Sequence, residues 1–312
     1  MFHIPTTRVT PTAINPDILC LYGPRKAGKT TLAAMWPPGP DGAPPLHIDT
    51  ARGTRYVPAR SVACPDLRTF IGDPFAGFDQ RNRADRDQAK ADSHRSSLVF
   101  ALQQDPVSRL VLDMVNDLEG WCEDWATAEY KSGLQGKDFE GSTVLALPKG
   151  LGYALIRQKF EILWRHLLRC VKPDGEILLL CHQRDAKMEK TAQVSESEDL
   201  DMTGKLRRIL ASHCAAIGYL WRTPENHVKV TFQTRNSDAM VGCRVPRLEG
   251  NTYVLSWLDP ASGCYAHGWE QIYLPTDGTP PQFRLSDVRK SVQVPIPVEQ
   301  TGNDAGSAQQ QQ

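Results

Sequence analysis

Residues 23–30 read Gly-Pro-Arg-Lys-Ala-Gly-Lys-Thr, a complete G-x-x-x-x-G-K-[ST] pattern. Each position has a chemical reason. Gly23 and Gly28 let the backbone turn tightly enough for its N–H groups to surround phosphate oxygens, and the first amides of a following helix add donors and the positive end of a dipole. Lys29 is long enough to reach the β- and γ-phosphates of a nucleotide, and the Thr30 hydroxyl is the hard oxygen ligand that Mg²⁺ prefers. The pattern assigns nucleotide contact to Gly23, Pro24, Arg25, Lys26, Ala27, Gly28, Lys29, Thr30 and Thr31. ATP and Mg²⁺ are the expected cofactors.

Such a site also needs an acid at the end of a neighbouring strand, because the metal shell must be anchored from a second side. The run Leu110-Val111-Leu112-Asp113 supplies one, so Asp113 is the expected partner of Thr30 on Mg²⁺. Asp49 closes a second run, Leu46-His47-Ile48-Asp49. It is expected either as a further acid near the γ-phosphate or as a cap on the turn Ala51-Arg52-Gly53. Gln183 closes a third run, 177–183, and is the expected sensor of the γ-phosphate, with His182 beside it as the alternative. Lys29, Asp49, Asp113 and Gln183 are therefore the candidate catalytic set.

The elements that must carry these residues are legible in outline. Ile18-Leu19-Cys20-Leu21-Tyr22 is a short β-rich run, and 31–36 favours helix until Pro37 and Pro38 end it, so the glycine loop joins a strand to a helix. Apolar runs ending in polar residues suit a parallel sheet buried on both faces. Between them, 151–171 places Ile156, Phe160, Leu163, Leu167 and Val171 on one stripe and Arg157, Glu161, Arg165 and Arg169 on another, which predicts an amphipathic helix with Arg157–Glu161 and Glu161–Arg165 support. Residues 117–130 predict another, with Trp121 and Trp125 in the core, and the charged stretch 78–95 predicts an exposed helix. From about residue 213 the pattern becomes β, with runs at 215–221, 227–234 and 252–257 separated by turn residues. The expected fold is α/β: a P-loop NTPase core with a mainly parallel sheet flanked by helices, then an antiparallel β extension from about 213. An N-terminal arm (1–14), a single ATPase domain (15–290) and a polar, Pro- and Gln-rich tail (291–312) expected to be disordered complete the division.

Composition narrows the class. The 312 residues, 40% hydrophobic and 23% charged, are typical of a globular protein, and 36 basic against 36 acidic side chains give no net charge. Any polyanion site must therefore be a local patch. No apolar stretch approaches the ~20 residues of a membrane helix, and no signal-like segment is visible, so a soluble cytoplasmic protein without a membrane partner is expected. The eight cysteines are scattered, without C-x-x-C or zinc-like pairing with histidine, and are expected to be reduced thiols.

Over about residues 15–235 the chain resembles the RecA-like phage ATPases with an AAA-type nucleotide-binding domain, among them the Sak-type single-strand annealing and recombination proteins. The resemblance rests on 18–31, on Leu46-His47-Ile48-Asp49-Thr50-Ala51-Arg52-Gly53-Thr54-Arg55, on 109–118, and on 178–219 from the Leu-Leu-Leu-Cys-His-Gln strand end to Gly204-Lys205-Leu206-Arg207-Arg208. It implies a RecA-like core that binds single-stranded DNA under ATP control and promotes annealing or strand pairing in phage-type recombination. It also implies a homo-oligomeric ring or filament, a single-strand-binding protein as a further partner, and the bacterial host cytoplasm as its setting. Two polar insertions, 131–149 with Lys131, Lys137 and Lys149 and 184–203 after Gln183, stand where such proteins carry DNA-contacting loops. Arg184, Lys187, Lys190, Lys205, Arg207 and Arg208 are the implied DNA-binding group, basic side chains that would displace counterions from phosphates. Arg222, Lys229 and Arg235 are candidates for a cation supplied by a neighbouring subunit.

One departure bears on chemistry. The family commonly reads Ile-Asp-Thr-Glu-Gly-Gly, and its glutamate position is Ala51 here. Without that carboxylate the ATPase is expected to be slow, or to rely on Asp49. Two other functions compete: a small-molecule P-loop kinase, for which no acceptor site is identified, and a non-hydrolysing assembly protein gated by nucleotide.

Overall fold

A computed structural model describes residues 14–184, 199–233, 240–259 and 263–274. Lys187, Lys190, Arg235 and the tail from 291 lie outside the described residues.

Each predicted apolar run forms a strand. The strands are β1 (Ile18–Gly23), β2 (Leu46–Asp49), β3 (Arg60–Ala63), β4 (Val107–Asp113), β5 (Val171–His182), β6 (Ala216–Arg222), β7 (Val228–Thr231), β8 (Gly242–Cys243), β9 (Thr252–Leu258) and β10 (Tyr265–His267). They build one sheet in the order β10-β9-β7-β6-β1-β5-β4-β2-β3, with β8 also paired to β6. From β6 to β3 every pairing along that order is parallel. From β6 outward through β7, β9 and β10, and between β6 and β8, pairing is antiparallel. Register brings Asp49 opposite Asp113 and Gly23 opposite His182. The strand that leads to Gln183 lies between the glycine-loop strand and the Asp113 strand.

Alternation within the central strands divides the core into two layers. Ile18, Cys20, Tyr22, Leu110, Leu112, Leu179 and Cys181 face one way, against α2 (Leu67–Ile71), α4 (Leu98–Gln104), α5 (Asp117–Ser132), α6 (Leu151–Leu168) and α7 (Gly204–His213). Leu19, Leu21, Val111, Leu178, Leu180 and Leu220 face α1 (Lys29–Ala34) and the C-terminal segment with Trp269, Ile272 and Tyr273. Burying such a side chain contributes roughly 1.5–3 kcal/mol, so the two-sided burial of the central strands dominates the stability of the platform.

The extension is fastened to this platform by polar contacts. Trp269 Nε1 donates to the Leu32 carbonyl of α1 at 2.9 Å, and the Arg247 guanidinium holds the carbonyls of Ile14, Gln271 and Ile272 and the Asn15 side chain. α3 (Arg83–Arg95) buries no residue, as its charge pattern implied. The expected ladder along α6 differs in detail: Arg165 Nε donates to the Glu161 backbone carbonyl at 3.2 Å. Trp121 and Trp125 are half-buried against the core, and the buried Lys159 ammonium lies 4.6 Å from the Trp125 ring. All eight cysteines are free thiols, six of them buried. Among the described residues no helix is long and apolar enough to cross a membrane.

Candidate nucleotide-binding site

The glycine loop follows β1 and turns directly into α1. Lys26 takes φ 61° and Gly28 φ 97°, the left-handed region in which a residue with a side chain is strained, so Gly28 suits the last step before the helix. Lys29 begins α1 and is only 3% exposed. Its ammonium folds back over the loop, donating to the carbonyls of Gly23 at 2.9 Å and Pro24 at 2.7 Å. Burial lowers its pKa to about 8, with Cys181 and Asp113 acting in the opposite direction. Pro24, Arg25 and Lys26 are exposed at the loop tip, Ala27 is buried, and Gly28, Thr30 and Thr31 are half-buried.

Asp113 ends β4 at 1% exposure, and its Oδ2 has no hydrogen-bond partner. Burial raises its pKa to about 6, the Thr30 hydroxyl pulls it down and the Asp49 charge pushes it up. Thr30 Oγ1 and Asp113 Oδ2 converge on Gly53: a Cβ at that glycine would lie 3.2 Å from the first and 3.4 Å from the second. A hydroxyl and an orphaned, buried carboxylate oxygen that both face Gly53 fit Mg²⁺. Among the described residues no group of three His, Cys, Asp or Glu forms an all-protein metal cage. Mg²⁺ does not need one, since it commonly keeps water and nucleotide phosphates in its shell.

Of the two roles open to Asp49, the geometry realises the cap. Its Oδ1 accepts from the Gly53 N–H at 2.9 Å, and its Oδ2 accepts from the Thr54 N–H at 2.9 Å and the Thr54 hydroxyl at 2.5 Å. The carboxylate thereby fixes the turn that presents Gly53 to Asp113. Ala51 and Arg52 are exposed on this turn, Arg52 with φ 60°. Sequence reasoning missed Gly53 as a wall of the site and Thr50 as a tie between strands. Thr50 donates to Asp117 at the start of α5 and accepts from the Met114 N–H at 2.7 Å, which locks the ends of β2 and β4 together. A Thr directly after a strand-ending Asp was the only available signal.

Gln183 follows β5, its N–H bonded to the Gly23 carbonyl at 3.0 Å and its Oε1 accepting from Tyr219 Oη at 3.2 Å. Tyr219 in turn packs between Tyr22 and Trp221, with ring centroids 5.4 and 5.8 Å away. The neighbouring His182 N–H donates to Asn116 Oδ1 at 2.8 Å, and burial lowers the imidazole pKa. Asn116 Nδ2 donates to the Asp201 carbonyl at 2.5 Å. The two ends of the 184–203 excursion are thus stapled beside the site, with Arg184 N–H on the Asp199 carbonyl at 2.8 Å and Asp201 N–H on the His182 carbonyl at 2.9 Å.

Two residues of the implied DNA-binding group make contacts within the chain. Arg184 spends its guanidinium on the Met202 carbonyl at 2.5 Å, and Arg207 forms an ion pair with Asp199 while only 19% exposed. Both hold the described ends of the excursion together. Lys205 and Arg208 are exposed on α7. The 131–149 insertion folds into short turns over α5 and α6, and Lys131 donates to the Ser142 carbonyl at 3.3 Å, while Lys137 and Lys149 are exposed. Arg222, considered for a neighbour's site, lies against Gly28 of its own chain, and Lys229 is half-buried in β7.

A search among curated proteins returns no match. The family model described as an AAA domain matches residues 15–242, a span that contains the glycine loop, Asp49, Asp113, Gln183 and β6 and leaves out β9 and β10. With its phosphate-loop sheet and most of its length covered, the chain belongs to the AAA-domain family of nucleotide-binding proteins.

Proposed function

We propose that the chain binds ATP with Mg²⁺ at this site, hydrolyses it slowly, and uses the bound state to control single-stranded DNA in phage-type recombination, by annealing or strand pairing within a homo-oligomeric ring or filament. The observation that carries the nucleotide reading is the convergence of Thr30 Oγ1 and the unpartnered Asp113 Oδ2 on Gly53, directly beside the Lys29 loop. In that reading the loop amides and Lys29 take the β- and γ-phosphates, Lys29 leaving its carbonyl partners for phosphate oxygens. Thr30 and Asp113 hold the metal, which when bound neutralises charge on the phosphate oxygens. Hydrolysis transfers the γ-phosphoryl group to water and releases ADP.

The DNA part of the reading is supported by the resemblance and by the stapled excursion. Its described ends bond to His182, Arg184 and Asn116 around a bridge between Gln183 and Leu200, so a γ-phosphate that shifts Gln183 would act on those ends. Exposed Lys205 and Arg208 on the adjoining helix are the remaining described cations of the group. Fluorescence anisotropy of a labelled single-stranded oligonucleotide, with and without Mg-ATP, tests it. Binding that depends on nucleotide and is lost in Lys29→Ala supports the reading; no binding at low salt in any nucleotide state rejects the DNA role.

A second reading, nucleotide-gated assembly without turnover, is favoured by one feature: Ala51 stands where a water-activating glutamate is expected, and the oxygens of Asp49 are engaged in the turn. Ala51→Glu separates the two. A severalfold gain in phosphate release is expected if the site is otherwise competent, whereas assembly on ATP with no release in either protein favours the gated reading.

A further inference from the structure

β6 runs parallel to β1 with Tyr219 opposite Tyr22, and its last residue, Arg222, therefore reaches the level of the glycine loop. The approach is close. A Cβ at Gly28 would meet Arg222 Nη2 at 2.7 Å and Val228 Cγ2 at 3.4 Å, so the guanidinium rests on the backbone of the residue that precedes Lys29. The position is fixed from below by a tight hairpin, in which the Thr223 N–H donates to the His227 carbonyl at 2.8 Å and Arg222 pairs with Val228 across the strands.

Its place against Gly28 sets this arginine apart, since Arg25, Arg52 and Arg208 are likewise exposed without an ion pair among the described residues. Arg109 pairs with Glu176, Arg207 with Asp199, and Arg184 and Arg247 bond backbone carbonyls. Arg222 has no ion pair and no hydrogen-bond acceptor among the described residues, and it is exposed. A guanidinium is planar, always charged, and presents parallel N–H groups that match two oxygens of one phosphate. Held against the glycine loop and offered no carboxylate among the described residues, it is placed to meet an anion there.

We infer that Arg222 is a second phosphate-contacting cation of the nucleotide site, supplied by the same chain that supplies Lys29. The inference rests on the nucleotide reading above and deepens it: binding of the polyphosphate would draw on a rigid hairpin cation at Gly28 in addition to the flexible Lys29. It also gives the loop a physical link to the antiparallel extension, since β7, which positions Arg222, pairs with β9.

The test is titration of a fluorescent ATP analogue into the full chain, comparing wild type with Arg222→Gln, Arg222→Lys and Lys29→Ala. Because Arg222 is exposed, its variants are expected to keep the wild-type melting temperature. Arg222→Gln should weaken binding about tenfold, the loss of one charge-assisted hydrogen-bonding group. Its affinity should also fall less steeply with salt than that of wild type, and Arg222→Lys should recover part of the loss, as a purely structural role would not require. An equimolar mixture of Arg222→Gln and Lys29→Ala should show no recovered tight sites. Unchanged affinity in Arg222→Gln, or recovery of tight sites in the mixture, would overturn the assignment, the latter by showing that the cation acts on a neighbouring subunit. If wild type itself binds no nucleotide, the underlying reading fails and this inference with it.

Discussion

Two regions of this molecule gather cations where a polyanion would be expected, and they are built on opposite principles. At the glycine loop Lys29 is 3% exposed and bonded to carbonyls, while Asp113 Oδ2 nearby has no hydrogen-bond partner among the described residues. Around α7, two of the basic residues close the excursion on itself through Asp199 and the Met202 carbonyl, and among the described residues of the group Lys205 and Arg208 look outward. Burial without full satisfaction costs free energy that a bound ligand would recover, so the loop is poised for one. Exposure with satisfaction leaves α7 a surface whose affinity for phosphates must come from screened charge alone. A count of basic residues in a sequence does not distinguish the two.

The contrast can be broken most sharply at Lys29. Lys29→Ala should lower ATP affinity by about 100-fold, near 3 kcal/mol, while circular dichroism and the melting temperature remain close to wild type. Next comes Arg207. Its removal strands Asp199 in a half-buried setting and should destabilise the fold by about 2 kcal/mol in denaturant titration, whatever happens to DNA. A loss of DNA binding with full stability would instead show that Arg207 faces a ligand.

Acid should act on the buried half of the comparison. Burial lowers the His47 pKa to about 4 from an ordinary 6.5, and the residue is 1% exposed in β2. The folded chain therefore keeps it neutral, and the unfolded chain binds the extra proton. Its contribution is complete above about pH 6.5 and is lost as pH falls towards 4, on the order of 3 kcal/mol. The slope of stability against pH in that window should flatten in His47→Gln. The smallest effect belongs to the exposed half: Lys205→Ala with Arg208→Ala should change stability by less than about 0.5 kcal/mol and weaken oligonucleotide binding severalfold, with a shallower salt dependence.

How much of this was legible follows from where each residue sits. The glycine loop, the Asp113 strand end and the helices at α5 and α6 are written in local patterns, because a strand buried on both faces must be continuously apolar and a packed helix must repeat every three to four residues. Val171 illustrates the limit: it continues the α6 stripe in sequence, yet it opens β5, since Arg169 caps the helix and Val171 pairs with Val107. β3 was invisible because it is an exposed edge strand with no buried position, so no alternation had to be encoded. β8 and β10 are too short to carry a period. Gly53 and Asn116 were illegible, and Arg222 was legible only as a cation for a neighbouring subunit, for another reason: their places depend on strand order, which brings residues separated by tens or hundreds of positions to one end of the sheet.

The central claim is that Thr30, Asp113 and the space at Gly53 form the metal side of a nucleotide site. The most direct measurement is calorimetric titration of ATP into wild type and Asp113→Asn, each with Mg²⁺ and with chelator. The account predicts that wild type binds at least about tenfold more tightly with Mg²⁺ and that Asp113→Asn loses most of this dependence while keeping its fold. Equal affinity with and without Mg²⁺ in wild type, or an undiminished Mg²⁺ effect in Asp113→Asn, would contradict it.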